Sequence, residues 1–336
     1  MLCCIRNYRV ASNGGGTMTI KKTVLLLLLA AAVPAAWAQS AWPNKPVRVV
    51  VPFPPGGNTD VVARLLSPRL AEEYGQQFVI DNRGGAGGTV GAEIAVRAIP
   101  DGYTIIVVAS TYASSAALYH LSYDPVTGIA PVGMITAGPM LLAANPSLKA
   151  NNLSELIELM RAKPGALSFG SSGTGSVPHL GAELLRQMTK TDAVHVPYKG
   201  DTPAIAELMG GHIQFLMSSP LALTPQIKAG RLRGLAVSTE QRSPVMPELP
   251  AIGEFVPGYA ASTWFAMWAP AGTPKEIVAR LNRSITRIAQ QPEMQSRLRA
   301  DGMEPVSSTP EEFARFIGEE IAKWSKVVKA GNIKID

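Results

Sequence analysis

The sequence predicts an α/β protein that folds into two lobes. Short apolar runs alternate with amphipathic segments along most of the chain, a pattern typical of strands and helices packed in layers. The chain has 336 residues, of which 46% are hydrophobic and 17% charged, so it can bury more than one core. Two loop-like stretches with several prolines and glycines, residues 130–139 and 243–260, would carry the backbone between lobes. We expect a mostly parallel sheet flanked by helices in each lobe.

The apolar runs place the individual elements. They are continuous rather than alternating, as in strands whose sheet is covered on both faces. The predicted strands are residues 47–52, 78–81, 104–109, 140–144, 166–169, 193–196, 213–217, 232–237 and 263–270. The predicted helices are residues 59–73, 89–98, 153–162, 176–188, 202–209 and 220–229, and only helices are expected after residue 270. Because the chain crosses twice, we predict a discontinuous first lobe, residues 39–138 and 251–336, and a second lobe of residues 139–250.

Residues 1–38 predict an export signal. Lys21 and Lys22 precede an apolar run of about ten residues, and the A-x-A pattern of residues 36–38 follows it. A membrane anchor is the alternative, but the run is shorter than the roughly 20 residues that span a bilayer. We expect a signal peptide that starts at Met18, is cleaved after Ala38 and directs the protein to the periplasm. Residues 1–17 would then be an upstream extension.

Removal of this leader changes two properties of the chain. Cys3 and Cys4, the two cysteines of the sequence, lie in the leader, so the mature chain would have no disulfide and no thiol chemistry. The leader also holds four basic residues and no acidic ones, so the net charge falls from +6 to +2. So small a charge gives no support for nucleic-acid binding.

Three strand–loop–helix units carry the strongest functional signal. Their glycine-rich loops lie at residues 53–58, 83–88 and 170–176, and each leads directly into a predicted helix. The first N–H groups of a helix have no partner inside it, so such an end can bind an anion. The first loop has neither a P-loop ending nor a G-x-G-x-x-G spacing, which argues against a phosphate group there. Each loop alone could be an ordinary turn, but loops in both predicted lobes favour a shared crevice.

Candidate catalytic and metal-binding residues are few. The four histidines, His120, His179, His195 and His212, lack the spacing of a metal site. His195 lies in an apolar strand and is expected in the core, whereas His179 is expected either to be structural or to contact a ligand. The sequence also lacks the G-x-S-x-G elbow of a serine hydrolase. We expect no metal, no cofactor and no catalysis.

Six blocks of the sequence carry a family resemblance. They are WPNKPVRVVVPFPPGGNTDVVARLL, VIDNRGGAGGTVGAE, PDGYT, SFGSSGTGSVPHLGAELL, HVPYKG and WFAMWAPAGTP, and they extend over residues 42–336. In this order and spacing they resemble the Bug/TctC family, the extracytoplasmic solute receptors of tripartite tricarboxylate transporters. The resemblance implies a type II periplasmic binding protein of the Venus-flytrap fold, whose two α/β lobes close on a small organic acid. We expect a monomer that delivers the acid to separate membrane permease subunits.

The resemblance also implies where the acid binds. In that family, backbone groups and ordered water of the first loop hold a carboxylate, and the Ser/Gly loop of the second lobe closes over it. The predicted ligand-binding residues are Phe53, Gly56, Gly57, Asn58, Thr59, Asp60, Thr111, Ser171, Ser172, Gly173, Gly175, Ser176, Tyr198 and Ser218. Asp60 is alternatively a helix cap, and Lys199 is either a counter-ion for a carboxylate or a solvated side chain. We expect the substitution Gly57→Val to abolish ligand binding and to leave the fold largely intact.

Two departures from the family bear on the ligand. Relatives often carry GTHA where this chain has residues 110–113, STYA, and an Asp-Asn pair where it has Ser218 and Ser219. The missing acid argues against an amino-acid ammonium and favours a di- or tricarboxylate or an aromatic acid. Two other functions stay open. One is a sensor that presents its closed form to a receptor kinase, and the other is a secreted hydrolase that uses Ser171 or Ser172 with His179.

Overall fold

The computed structural model describes residues 42–335, so the predicted leader lies outside the described residues. The strands are β1 (Val47–Val51), β2 (Phe78–Asn82), β3 (Thr104–Ala109), β4 (Ile129–Pro139), β5 (Leu141–Ala144), β6 (Ser168–Ser171), β7 (Val194–Pro197), β8 (Phe215–Ser218), β9 (Arg233–Val237), β10 (Ser262–Pro270) and β11 (Glu304–Pro305). They form a six-stranded sheet in the order β11-β4-β10-β3-β1-β2 and a five-stranded sheet in the order β7-β6-β8-β5-β9. We call the parts built around them the first and the second lobe. The predicted two-lobed α/β fold is confirmed.

Helices cover both sheets. They are α1 (Asn58–Tyr74), α2 (Thr89–Val96), α3 (Thr111–Ala116), α4 (Leu153–Ala162), α5 (Val177–Thr189), α6 (Asp201–Met209), α7 (Pro220–Lys228), α8 (Lys275–Ala289), α9 (Pro292–Ala300) and α10 (Pro310–Ala330). Short 3-10 turns occur at Ala86–Gly88 and Ile252–Glu254. Within residues 42–335, no helix is both long and apolar enough to cross a membrane.

The sheets are mixed rather than mostly parallel, which corrects one expectation from the sequence. β1 runs parallel to β2 and β3, and β6 runs parallel to β7 and β8. In contrast, β10 is antiparallel to β3 and β4, and β5 is antiparallel to β8 and β9. The parallel strands end at the crevice between the lobes, whereas β5 and β10 enter their sheets from the other lobe and start at that crevice. A strand that starts where its neighbours end must run against them.

The stretch that was expected to be a crossing loop, residues 130–139, is instead part of strand β4. Its prolines and glycines suggested a loop, but β4 pairs with β10 along its length and with β11 on its other side. Register shifts interrupt the β4–β10 ladder twice, and an antiparallel pair absorbs such irregular residues as bulges. The crossing itself is short, because Met140 alone separates β4 from β5. β11 likewise corrects the expectation that only helices follow residue 270.

Apolar clusters fill both faces of each sheet. In the first lobe, α1 and α8 cover one face, and α2, α3 and α10 cover the other. In the second lobe, α4 and α5 pack on one face, and α6 and α7 pack on the other. Ile252, Val256 and Tyr259 also pack in the second lobe, although they follow the predicted boundary at residue 251. Where exactly one lobe ends and the other begins stays a prediction.

Helix α10 belongs to the cores of both lobes. Phe313 and Ile317, near its start, pack with the first sheet, whereas Trp324, near its end, packs with the second. Between these positions lies Glu320, which is buried. Its Oε2 accepts hydrogen bonds from the indole N–H groups of Trp264 in β10 and of Trp324, each at 3.2 Å. One carboxylate oxygen thus satisfies two buried donors from the two cores.

Removal of this carboxylate should destabilise the protein. In Glu320→Ala the two indole N–H groups lose their shared acceptor, and each unsatisfied buried donor costs about 1–3 kcal/mol. We expect urea unfolding to give a free energy of unfolding about 2–6 kcal/mol lower than that of the wild type. The control Glu320→Gln keeps one acceptor oxygen, so its loss in the free energy of unfolding should be less than half that of Glu320→Ala. Equal losses in the two variants would contradict the role assigned to the shared oxygen.

Candidate ligand-binding site

Residues of both lobes meet around a small chamber in the crevice, which we call the first chamber. It encloses about 20 Å³. Its lining residues are Phe53, Asn58, Thr59, Ala109, Ser110, Thr111, Met140, Ser172, Pro178, Asp201, Ser219, Thr263 and Phe265. Most of them follow the end of a parallel strand or lie near the start of β10. The lobes also contact each other directly, because Asn58 Nδ2 donates to Ser218 Oγ at 3.1 Å and the Tyr119 hydroxyl donates to the Thr174 carbonyl at 3.1 Å.

The loop between β1 and α1 is held in place by the Asp60 carboxylate. Asp60 is almost fully buried and accepts hydrogen bonds from the Gly56 N–H at 2.8 Å, Arg64 Nε at 2.7 Å and Asn82 Nδ2 at 3.0 Å. Asn82 Nδ2 also donates to the Phe53 carbonyl at 2.9 Å. Burial alone would raise the pKa of Asp60, but the hydrogen bonds from Arg64, Gly56 and Asn82 hold it below its usual value. Asp60 therefore braces the loop, and its oxygens are occupied by the protein itself.

The two glycines of this loop have different roles. Gly56 has φ +78°, a conformation that favours glycine, whereas Gly57 has φ −76° and stands as the N-cap of α1. The Gly56 N–H is taken by Asp60, and the Gly57 N–H points to the Pro54 carbonyl at 3.4 Å. A Cβ on Gly57 would lie 3.4 Å from that carbonyl oxygen, at the lower limit of ordinary van der Waals contact. The loss of binding expected for Gly57→Val stays a prediction.

The start of α1 lies at the first chamber. Asn58 and Thr59 occupy its first two positions, line the chamber and are almost fully buried. Backbone N–H groups in a first helical turn have no acceptor within the helix, and the helix dipole adds partial positive charge there. This end can therefore hold one negatively charged group without any basic side chain.

The Ser/Gly loop of the second lobe offers fewer free donors than the sequence suggested. Ser176 caps α5 by accepting the His179 N–H at 3.3 Å, and the Gly175 N–H donates to His179 Nδ1 at 3.1 Å. Pro178, the second residue of α5, has no N–H. The Gly173 N–H donates to Ser171 Oγ at 3.2 Å. Of this loop, Ser172 is the residue that lines the first chamber.

A larger space of about 190 Å³, the second chamber, lies beside the first. Phe53 and Ser172 line both chambers. The other lining residues of the second chamber are Pro54, Gly85, Ala86, Gly87, Gly88, Tyr119, Gly173, Thr174, Pro197, Tyr198 and Lys199. The second glycine-rich loop of the sequence thus reaches the crevice, but it lines this chamber and not the first. Lys199 brings a positive charge to its edge.

The predicted ligand-binding residues divide into four groups. Phe53, Asn58, Thr59, Thr111 and Ser172 line the first chamber, and Gly173 and Tyr198 line the second. Ser218 contacts Asn58 across the crevice. The others, Gly56, Gly57, Asp60, Ser171, Gly175 and Ser176, appear in the lining of neither chamber. Sequence reasoning missed Ser110, Asp201, Ser219 and Thr263, which line the first chamber because their strands or helices end or start at the crevice.

Asp201 overturns one argument made from the sequence. The missing Asp-Asn pair after β8 suggested that the second lobe brings no acid to the ligand, yet Asp201 at the start of α6 lines the first chamber. Its Oδ1 accepts the Ser218 hydroxyl at 2.7 Å. Burial raises the pKa of the Asp201 carboxyl, although hydrogen bonds from Ser218 and Asn58 oppose the shift. In the sequence, Asp201 could have been found as the acidic residue that directly follows the Tyr-Lys-Gly turn.

Two histidines of the second lobe stack beside the Ser/Gly loop. The rings of His179 and His195 lie 3.8 Å apart, and His195 Nε2 is 2.7 Å from Ser171 Oγ. Burial lowers the pKa of His179 to about 3 and that of His195 to about 4, with the Arg186 charge acting in the same direction. Both rings are therefore neutral at pH 7. Their contacts hold the loop in shape.

These contacts bear on the hydrolase interpretation. The serine that meets a histidine is Ser171, and its partner is His195 rather than the predicted His179. Ser171 is 1% exposed, and neither chamber includes it in its lining. A nucleophile must reach the carbonyl that it attacks. Ser171 therefore faces neither chamber, and the hydrolase hypothesis lacks a substrate site at this serine.

Comparison with known proteins identifies the family. Residues 62–333 match the model of the tripartite tricarboxylate transporter family receptor, TctC. The chain belongs to this family. A TctC relative from Bordetella pertussis, Protein BugT, is 35% identical over 307 residues, which make up 90% of this chain and 94% of that protein.

Solved structures agree with this membership. The TctC chain is 39% identical to R. palustris Rpa4515 with adipate, with a TM-score of 0.85 over 87% of this chain and 99% of that chain. It is 34% identical to MatC from Rhodopseudomonas palustris with bound malate, with a TM-score of 0.81 over 85% of this chain and 100% of that chain. The family predicted from the sequence is confirmed.

The buried histidines should make stability depend on pH. In the unfolded chain a histidine titrates near pH 6.5, whereas His179 and His195 stay neutral in the folded protein down to about pH 4. Below about pH 6.5 the unfolded state therefore binds more protons, and stability falls by up to about 1.4 kcal/mol per pH unit for each histidine. We expect urea unfolding to show this loss between pH 6.5 and 5.

A pair of variants tests whether these histidines cause the pH dependence of stability. His195→Gln removes one of the two buried groups and should reduce the slope over this range by about half, because one titrating group of two remains. His120→Gln removes an exposed histidine and serves as the control. A slope that is unchanged in His195→Gln would show that other groups cause the pH dependence.

Proposed function

We propose that this protein is a periplasmic receptor that captures a small organic carboxylate between its lobes and delivers it to a separate membrane permease. The observation that carries the proposal is the position of α1. Its first turn opens into the first chamber at Asn58 and Thr59, between two lobes that touch. A carboxylate seated there would receive backbone hydrogen bonds and the favourable end of the helix dipole.

The energetic demand of such binding is modest. A micromolar affinity corresponds to about 8 kcal/mol in total. Hydrogen bonds to a charged group contribute about 1.5–3 kcal/mol each, so two backbone donors and burial between the lobes supply a large part of it. Ser110, Thr111 and Ser172 line the same chamber, and their side-chain hydroxyls are further candidate donors. A basic side chain is not required.

The relatives support the same class of ligand. The two related solved structures described above hold adipate and malate, which are small dicarboxylates. The second chamber gives a longer acid room beyond Phe53, and Lys199 at its edge suits a second carboxylate. The transport role and the periplasmic location rest on the receptor family and on the predicted leader.

A negative charge built into the first turn of α1 should block binding. Thr59→Asp places a carboxylate where the ligand's carboxylate is proposed to sit, and like charges in a buried site cost several kcal/mol. We expect isothermal titration of refolded, ligand-free protein to show an at least 100-fold weaker affinity for every acid that the wild type binds, which corresponds to about 2.7 kcal/mol. The panel should contain succinate, malate, adipate, citrate, phthalate and nicotinate.

The matched control makes the same change at another helix. Ser154 is the second residue of α4, as Thr59 is of α1, and it lines neither chamber. Ser154→Asp should bind the acids as the wild type does. Unaltered binding in Thr59→Asp would exclude the start of α1 as the site. Absence of binding by the wild type to every acid of the panel would overturn the proposed function.

A further inference from the structure

Asp201 and Asn58 face each other across the crevice through a chain of hydrogen bonds. Asn58 belongs to the first lobe, and Asp201 and Ser218 belong to the second. Asn58 Nδ2 donates to Ser218 Oγ at 3.1 Å, and the Ser218 hydroxyl donates to Asp201 Oδ1 at 2.7 Å. Asn58 and Asp201 both line the first chamber. The donor groups of these three side chains therefore already hydrogen-bond to one another.

Acceptors are left over at the same place. Asn58 is 5% exposed, and its Oδ1 is buried without a hydrogen-bond partner. A carboxylate accepts up to about four hydrogen bonds, and Asp201 already accepts them from the Ser218 hydroxyl, the Asn58 amide and its own backbone N–H, which leaves room for one more. A buried acceptor that lacks a donor costs free energy until something supplies one. A ligand with a donating group would satisfy both residues.

The position of these acceptors limits where the donor lies on the ligand. The backbone of Asn58 belongs to the first turn of α1, where the ligand's carboxylate is proposed to bind. The side-chain Oδ1 of the same residue is the buried acceptor that lacks a donor. The carboxylate and the donor would therefore lie within the reach of one side chain. This suits an acid with a hydroxyl or ammonium group on the carbon next to the bound carboxylate.

We propose that the Asp201 carboxylate and Asn58 Oδ1 form a subsite that selects 2-hydroxy or 2-amino acids over the same acids without that group. The inference rests on the proposed function, because it assumes that a carboxylate binds at α1. Asp201 acts as the specificity-determining acceptor. It also disfavours an acid that places a second carboxylate against it, since the two negative charges repel.

Two series of acids that differ in one group test the proposal by isothermal titration. The first contains succinate, malate and aspartate, and the second contains glutarate, 2-hydroxyglutarate and glutamate, with both enantiomers of each chiral acid. In at least one series, the wild type should bind the hydroxy or amino acid at least about 10-fold more tightly than the unsubstituted acid, as expected for hydrogen bonds to a charged acceptor. Preference for the hydroxyl or for the ammonium distinguishes the two donors.

The variant Asp201→Asn removes the charge and keeps the shape. We expect it to lower that preference about 10-fold or more, because affinity for the donor-bearing acid falls while repulsion of the unsubstituted acid is relieved. Glu207→Gln is the matched control, since it removes one negative charge from the exposed side of the same helix, and its preference should equal that of the wild type.

The outcomes separate this inference from the proposed function. Carboxylate binding by the wild type without any preference for the donor-bearing acids would overturn the subsite and leave the receptor function standing. A preference that persists in Asp201→Asn would overturn the role of Asp201. If the variant does not fold, the wild-type comparison decides alone. Failure of the wild type to bind any acid in these series or in the wider panel would overturn both proposals.

Discussion

In both sheets the parallel strands end at the crevice, and this constraint determines most of the architecture. A chain that leaves one sheet at its crevice edge enters the other sheet at the corresponding edge, so β5 and β10 run against their neighbours. The same constraint brings the loops after β1, β3, β6 and β8 to one chamber. The polar residues of the site are therefore far apart in sequence and close in space because of strand direction, which is general for open α/β sheets.

The first loop shows how a protein prepares a binding site with its own hydrogen bonds. Asp60 takes the Gly56 N–H and two side-chain donors, and this fixes the path of the chain from Phe53 into α1. Asn58 and Thr59 are thereby held in place at the chamber that they line. Preorganised donors bind a small ligand better than mobile ones, because less conformational entropy is lost on binding. The brace is thus part of the site although its atoms are already satisfied.

The lobes are joined by more than the two crossings. Helix α10 packs in both cores, and Glu320 holds one indole from each. On the side of the crevice, the Asn58–Ser218–Asp201 chain connects the lobes with polar contacts. Apolar packing therefore holds the lobes together at α10, whereas polar groups meet at the site. In a two-lobed receptor, apolar packing on one side suits a fixed connection between the lobes. Polar contacts on the other side suit an interface that changes when ligand binds.

The sequence by itself determined the α/β class, the two lobes, the family and the importance of the turn before α1, because apolar periodicity and glycine-rich motifs are local signals. It could not show that residues 130–139 form a strand, since their pairing partner lies more than 100 residues away in β10. It also could not show that Asp60 is occupied by its own loop, or that Asp201 lines the first chamber although no acid follows β8. Those facts depend on which groups meet after folding. Only the tertiary structure decides how each donor and acceptor is used.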